Sequence, residues 1–143
     1  MLPKIDHIQI TVKNLQESEA FYDQLLPLFG FDLNRKSRGC VEAHSFEVVE
    51  YMHEDLILGF NSPREALAHE NVHRRRPGAL HHLAFRAASI AEIQQLFPLI
   101  EATGAQIVEP PRYYPQHGAN YYALFFKDPS GIKLELMCEE API

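Results

Sequence analysis

Alternating apolar and polar residues open the chain and predict its first strand. Within residues 5–12 the apolar side chains fall on one face and His7 falls on the other, as in a half-buried β-strand. Asn14 stands three positions before a glutamate, which is typical of a helix capping box, and apolar residues from Phe21 onward follow helical spacing. Three more strands are predicted at residues 31–36, 41–52 and 56–60. The predicted order of the first half is therefore β-α-β-β-β.

The second half begins with the same pattern after a connector. Residues 61–79 are rich in turn-forming and charged residues, with a short helical turn predicted at 64–70. Residues 80–87 predict a strand with His82 on its polar face, and Ser89 with a glutamate three positions later predicts a second helix start. The remaining segments are predicted as a helix ending at Gly104, a strand at 105–109, a loop at 110–118, a strand at 119–126, a turn at 128–131 and a last strand through 138.

The two halves match at a fixed offset of 75 residues. His7 corresponds to His82 and Asn14 to Ser89, and the capping glutamates and two helix-face positions correspond as well. An internal repeat is the better interpretation of so many matches. The predicted fold class is α+β, with two repeated β-α-β-β-β modules whose curved mixed sheets surround a cleft. We expect a single domain over residues 1–143, with module 1 at 4–60, the connector at 61–79 and module 2 at 80–140.

The polar faces of three predicted strands carry candidate metal ligands. His7, His82 and Glu135 each lie opposite the apolar stripe of their strand, and we expect those stripes to pack against the helices. Two imidazoles and one carboxylate form a set that holds a divalent metal ion, with iron, zinc, nickel or manganese as candidates. The ordinary alternatives are hydrogen-bonded structural histidines and a solvated glutamate. His81 is predicted to point away from His82, because neighbours on a strand face opposite sides.

Composition narrows the class of protein. With 143 residues, of which 46% are hydrophobic and 22% charged, the chain suits one compact domain. A net charge of −6 argues against a general nucleic-acid or anionic-membrane surface. Residues 74–76 form a basic run, interpreted as a solvated linker or, alternatively, as a local site for an anionic substrate group. Cys40 and Cys138 do not suggest a disulfide framework, and without a signal peptide or a membrane-length apolar run the expected location is cytoplasmic.

Four stretches carry a family resemblance: residues 5–12, 20–22, 80–85 and 127–136. In this order and spacing they resemble the vicinal oxygen chelate superfamily, which includes glyoxalase I, fosfomycin- and bleomycin-resistance proteins and extradiol dioxygenases. The resemblance implies paired modules around a metal cleft. One divalent metal ion per site would be held by the histidines of the first and fifth strands and the glutamate of the last. Those ligands fall on His7, His82 and Glu135.

One expected ligand of the glyoxalase I enzymes has no match. These enzymes usually place a further carboxylate on the last strand of the first module, and matching the leucines of the two last strands puts Ile57 there. Glu54 and Asp55 lie nearby but out of register. The three-ligand set is more similar to the fosfomycin-resistance and dioxygenase branches, which speaks against true glyoxalase activity.

The predicted function is metal-dependent chemistry on a small molecule that is chelated through adjacent oxygens. The candidate classes are a glyoxalase-like lyase, an isomerase, a transferase and an extradiol-type, ring-cleaving dioxygenase. Glu135 and His117 are the predicted catalytic residues, since imidazole titrates near neutrality. Arg86, Arg112 and Tyr121 are predicted to bind substrate. The alternative is a metal-free protein of the bleomycin-resistance type, which sequesters a small-molecule ligand.

A homodimer with shared metal sites is also expected. One module supplies His7 while the other supplies His82 and Glu135, and the connector is long enough to reach a partner. The resemblance implies that short two-module members commonly pair the first module of one chain with the second module of another. Closed two-fold symmetry is the commonest arrangement of soluble oligomers. No nucleic-acid or membrane partner is expected.

Overall fold

The chain folds as two units of the same topology. A computed structural model describes residues 1–143, which divide into a first unit, Met1–Asn71, and a second unit, Val72–Ile143. Each unit contains one α-helix and one four-stranded mixed sheet. The predicted α+β class and the β-α-β-β-β order of both modules are confirmed. Neither helix has the length and apolar character that a membrane span requires.

In the first unit, a parallel strand pair joins the beginning of the module to its end. The elements are β1 (His7–Thr11), α1 (Leu15–Leu25), β2 (Ser37–Val41), β3 (Phe46–His53) and β4 (Leu56–Asn61), in the sheet order β1-β4-β3-β2. β1 runs parallel to β4, and the other pairs are antiparallel. Asn14 caps α1 as predicted, because its side chain accepts a hydrogen bond from the Glu17 N–H at 3.0 Å. Tyr22 of α1 stacks on Phe60 of β4 with ring centroids 3.9 Å apart, which ties the helix to the sheet.

The strand predicted at residues 31–36 is wrong. This segment forms a 3₁₀ turn, Leu33–Arg35. The Asp32 side chain accepts a hydrogen bond from the Asn34 N–H at 2.9 Å, and such local bonding by aspartate favours a turn over a strand.

The strand predicted at residues 41–52 begins too early. β2 ends at Val41, a 3₁₀ turn follows at Glu42–His44, and β3 begins at Phe46. Ser45 reverses the chain in the left-handed region, at φ 55°. The number of strands in the first unit is as predicted, but the second strand lies later in the sequence.

The second unit repeats this arrangement with longer strands. Its elements are β5 (Leu83–Arg86), α2 (Ile90–Ala102), β6 (Gln106–Tyr113), β7 (Tyr121–Lys127) and β8 (Lys133–Glu139), in the order β5-β8-β7-β6. Ser89 caps α2 through the Glu92 N–H at 3.1 Å. The turn before β8 is closed by Gly131 at φ 88°, whose N–H donates to the Asp128 carbonyl at 3.0 Å.

The loop predicted at residues 110–118 begins too early. β6 continues through Tyr113, with irregular register between Glu109 and Arg112. The two prolines at 110 and 111 fall in this irregular part of an edge strand, where proline removes no required ladder hydrogen bond.

The sheet of the second unit is buried on both faces of β8. Leu134 and Leu136 are buried on one face. The opposite face carries a buried cluster of Tyr114, Ala123, Phe125 and Met137, with Tyr121 packed against it. Because side chains alternate along a strand, Glu135 shares this second face.

Candidate functional site

A cavity of about 360 Å³ opens on the face of the second unit that carries Glu135. It combines acidic, basic, amide and aromatic side chains within a small volume, which is typical of a binding site for a small molecule. The side chains that line it belong to His81, His82, Glu109, Tyr114, Gln116, His117, Tyr121, Phe125, Lys133 and Glu135.

Glu135 is a buried carboxylate at the wall of this cavity. The residue is only 2% exposed, so the ordinary interpretation as a solvated strand glutamate is wrong. The Tyr121 hydroxyl donates a hydrogen bond to Oε1, while Oε2 lies 3.3 Å from Nε2 of His82. β7 and β8 pair in a register that sets Phe125 opposite Glu135. One carboxylate oxygen is therefore fixed by the protein, and the other faces an imidazole nitrogen.

His82 and His81 both line the cavity, which corrects the prediction that His81 points away. β5 begins only at Leu83, so strand alternation does not apply to the two histidines. Their Nδ1 atoms lie 2.8 Å apart, within hydrogen-bonding distance. Desolvation and, secondly, the neighbouring His82 lower the pKa of His81, which favours a neutral His81 ring that can accept a hydrogen bond from His82 Nδ1–H. In that tautomer the lone pair of His82 is on Nε2, the atom that faces Glu135.

His117 and Tyr121 line the same cavity, as the sequence-based roles require. The His117 ring lies 5.4 Å from the Tyr121 ring and 6.0 Å from the Tyr114 ring, measured between centroids. Its backbone N–H donates to the Tyr114 carbonyl at 2.9 Å, which fixes the start of the loop. Tyr122 is buried instead, with its hydroxyl 3.5 Å from the Gln94 amide nitrogen of α2. Only one of the two adjacent tyrosines reaches the cavity, as predicted.

The two predicted substrate-binding arginines do not line the cavity. Arg86 lies 3.8 Å from the Glu139 carboxylate. Arg112 donates to Glu109 at 2.7 Å and lies 3.9 Å from the centroid of the Tyr114 ring. Because Glu109 and Tyr114 both line the cavity, Arg112 contacts two residues of its wall. Direct contact of either arginine with a substrate stays a prediction.

Several lining residues were not predicted from the sequence. Lys133 shares the strand face of Glu135, so the alternation of β8 already contained the signal for it. Glu109, Tyr114 and Gln116 gave no such signal, because their segment was predicted partly as a loop. Phe125 is identified only by the β7–β8 register, which sets it opposite Glu135.

His7 lies in the first unit with its ring oriented by a carboxylate. Its Nδ1 is 2.7 Å from Oδ2 of Asp6. A carboxylate bonded to one ring nitrogen fixes the tautomer and leaves the other nitrogen as a metal ligand. In both predicted histidine ligands, Nδ1 therefore lies within hydrogen-bonding distance of a neighbouring side chain.

The strand register of the first unit changes the position that corresponds to Glu135. Gln9, two residues after His7, pairs with Gly59. In the same way Ala84, two residues after His82, pairs with Glu135. Gly59, rather than the predicted Ile57, is thus the counterpart. Neither residue is acidic, so the expectation that β4 supplies no carboxylate is unchanged. Within the chain, no group of three or more histidine, cysteine, aspartate or glutamate side chains is positioned to hold a metal ion.

The chain is a small α+β protein of two β-α-β-β-β modules, the second of which has a histidine and a glutamate beside an open cavity. The chain belongs to the Glyoxalase/Bleomycin resistance protein/Dioxygenase superfamily, which it matches over residues 4–136. The superfamily includes enzymes, and the predicted resemblance is confirmed.

Individual relatives support the same assignment. The uncharacterized protein YqjT of Bacillus subtilis (strain 168) is 29% identical over 132 residues, covering 92% of this chain and 95% of its own. A candidate glyoxalase from Bacillus halodurans is also 29% identical, with 96% of both chains covered and a TM-score of 0.76. The fosfomycin resistance protein FosX of Listeria monocytogenes is 18% identical with a TM-score of 0.70, covering 98% of this chain and 96% of its own. A point mutant of FosX was crystallised with Mn(II) and 1S,2S-dihydroxypropylphosphonic acid. At this identity, the likeness to FosX concerns the fold.

Proposed function

We propose that the chain is a divalent-metal-dependent enzyme that acts on a small molecule chelated through two adjacent oxygens. The observation that carries this proposal is the buried Glu135 carboxylate, whose Oε2 lies 3.3 Å from His82 Nε2 at the cavity wall. The reaction is that of a lyase, isomerase, transferase or ring-cleaving dioxygenase. His82, Glu135 and His7 would hold the metal ion.

The spacing of the two donor atoms in the second unit suits a shared ion. Nitrogen and oxygen donors bind zinc-like ions at about 2.0–2.2 Å, so two donors lie about 3.3–3.6 Å apart at a tetrahedral angle and about 2.8–3.1 Å apart at an octahedral one. The observed 3.3 Å matches the tetrahedral spacing and is slightly longer than the octahedral one. Tyr121 binds the other carboxylate oxygen of Glu135, and His81 contacts the other ring nitrogen of His82. Such outer partners typically orient metal ligands.

A divalent ion at this position would polarise the substrate oxygens and stabilise negative charge that develops on them. Glu135 would present Oε2 toward the substrate side while Tyr121 holds Oε1. His117 lines the same cavity, where its imidazole would act as the general acid or base. Tyr114 and Phe125 supply apolar walls that limit the access of water to the reacting atoms.

A second candidate is a metal-free protein that binds and sequesters a small molecule. The observation that favours it is that only two of the three donors meet in the second unit, with no three-donor group within the chain. In this case the cavity would bind its ligand through Tyr114, Phe125 and His117, and Glu135 would serve as a buried hydrogen-bond acceptor. His82→Ala would then leave ligand affinity nearly unchanged.

Metal content distinguishes the two candidates. Protein purified without chelators, then titrated with Mn(II), Fe(II), Ni(II) and Zn(II), should bind about one ion per site, as a three-donor open site predicts. Mn(II) is the first ion to test because it is the ion bound by the FosX mutant. His82→Ala, Glu135→Gln and His7→Ala should each lose most of the affinity. The exposed His69 provides the matched control His69→Ala, which should bind normally, and equal metal uptake by all four variants would refute the proposal.

The metal site is further proposed to be shared between the two chains of a homodimer. His7 belongs to the first unit while His82 and Glu135 belong to the second, so two units of this topology must contribute to one complete set. A closed two-fold dimer would supply two such sites.

A further inference from the structure

Both carboxylates that line the cavity of the second unit already have partners. Glu135 accepts from Tyr121 and faces His82. Glu109 accepts from the Tyr114 hydroxyl at 2.8 Å and from Arg112 at 2.7 Å. These two hydrogen bonds lower the pKa of Glu109, so it stays ionised beside the Arg112 cation. Arg112 therefore balances the charge of Glu109, and Tyr121 holds one oxygen of Glu135.

Lys133 is the cation that lines this cavity, and its environment differs from that of the carboxylates. It lies on β8 two residues before Glu135, on the same strand face. Its ammonium group stands 4.6 Å from the centroid of the Phe125 ring. An aromatic face orients an ammonium group but leaves its three N–H donors available. The cavity thus presents an oriented cation beside two carboxylates that are each hydrogen-bonded by other residues.

We propose that Lys133 binds an anionic group, such as a carboxylate, phosphate or phosphonate, on the small molecule that this cavity accepts. The inference deepens the proposed function, on which its chelation part rests. Two residues along a strand span about 6.7 Å, so the anionic group would lie within a few bonds of the oxygens that reach Glu135 and His82. The substrate class is a small acid that carries two adjacent oxygens near its anionic group.

The test compares two hydroxamates, which both chelate metal ions through adjacent oxygens. Acetohydroxamate lacks a further acidic group, whereas phosphonoacetohydroxamate carries a phosphonate. Their dissociation constants are measured by calorimetry on the Mn(II)-loaded protein. Wild type should bind the phosphonate probe at least about tenfold more tightly, as a charge-assisted hydrogen bond provides.

Two variants at Lys133 and one at its neighbour separate the roles. Lys133→Met keeps a long side chain on Phe125 but removes the charge, and it should abolish the preference for the phosphonate probe. Lys133→Arg should retain the preference. Lys127 pairs with Lys133 across β7 and β8 but does not line the cavity, so the control Lys127→Met should also retain it. Equal affinity of wild type for both probes, or an equal loss in Lys127→Met, would overturn the inference.

Metal binding is recorded separately, so that the two proposals fail in different ways. Lys133→Met should keep the Mn(II) affinity of wild type, since the lysine is not a ligand. If no variant or wild type takes up metal, the proposed function fails, and the inference is then tested with phosphonoacetate on metal-free protein. There Lys133→Met must weaken binding at least about tenfold relative to Lys127→Met, and the inference fails if the two variants bind alike.

Discussion

Replacing Tyr121 by phenylalanine isolates the contribution of one hydrogen bond to the candidate site. The hydroxyl donates to Oε1 of Glu135, a residue that is 2% exposed. Burial and, secondly, the bond to Glu135 raise the pKa of Tyr121, so the hydroxyl remains a donor at any ordinary assay pH. The ring itself would stay in place, packed against the buried cluster of the sheet.

The expected effects follow from the burial of the carboxylate. Hydrogen bonds to charged groups contribute about 1.5–3 kcal/mol, and Oε1 would lose its partner away from bulk water. The free energy of unfolding in urea should fall by about 1.5–3 kcal/mol for Tyr121→Phe. Loss of a residue that orients a metal ligand typically costs about 10- to 100-fold in affinity, so the Mn(II) dissociation constant should rise by that factor.

The adjacent tyrosine supplies the control. Tyr122 is also buried, but its hydroxyl meets only the Gln94 amide at 3.5 Å. Tyr122→Phe should change the free energy of unfolding by less than about 1 kcal/mol and leave Mn(II) affinity unchanged. The reasoning would be refuted if Tyr121→Phe bound Mn(II) as wild type does, or if both variants lost affinity equally.

Three further predictions concern stability at high pH, an ion-pair network and the dimer. Burial first, and hydrogen bonds second, raise the pKa of Tyr51, Tyr114 and Tyr121, that of Tyr114 to about 12. The stability that these tyrosines contribute is therefore complete below their unfolded pKa of about 10 and is lost as pH rises above it. An absorbance titration should show that they ionise at higher pH than exposed tyrosines do. Glu19→Gln should lower the free energy of unfolding, measured in urea, by about 1–3 kcal/mol, because Glu19 binds Lys36 at 2.7 Å and also contacts Arg38 in a half-buried network. Burial alone would raise the pKa of Glu19, but the two cations lower it by more. The loss of stability should therefore shrink at acid pH, where Glu19 becomes protonated. Mixing His7→Ala with Glu135→Gln protein should restore part of the Mn(II) binding after subunit exchange, because one of the two shared sites in each mixed dimer is intact; verified exchange without recovery would rule out shared sites.

The elements that could be predicted from the sequence are those with strong local signals. The caps at Asn14 and Ser89 and the alternation of β1 and β8 each depend on residues close together in the chain. The internal repeat then related the two halves and predicted the same sequential order of elements in both. The prediction that Glu135 shares a face with the cavity needed only the period of two residues along β8.

The elements that could not be predicted depend on competition between local and distant bonds. Asp32 caps a turn inside a segment whose apolar residues resemble a strand, and two prolines remain in β6 because that strand lies at a sheet edge. His81 was placed on the wrong side because β5 begins three residues later than predicted. The burial of Glu135 likewise depends on the register of β7, which no local pattern in the sequence reports.

In the shared-site arrangement the proposed ligands come from two units, so metal binding and dimer assembly are coupled. The second unit brings His82 and Glu135 together without help, whereas the first supplies His7, oriented by Asp6. An ion held by donors from both units binds the associated state more tightly than the separated state. By linkage, the same ion must then strengthen the association by an equal factor. In the shared-site arrangement, Mn(II) should therefore lower the dimer dissociation constant of wild type but not that of His7→Ala. If the cavity binds its ligand without metal, Mn(II) should leave the dimer dissociation constant of both proteins unchanged.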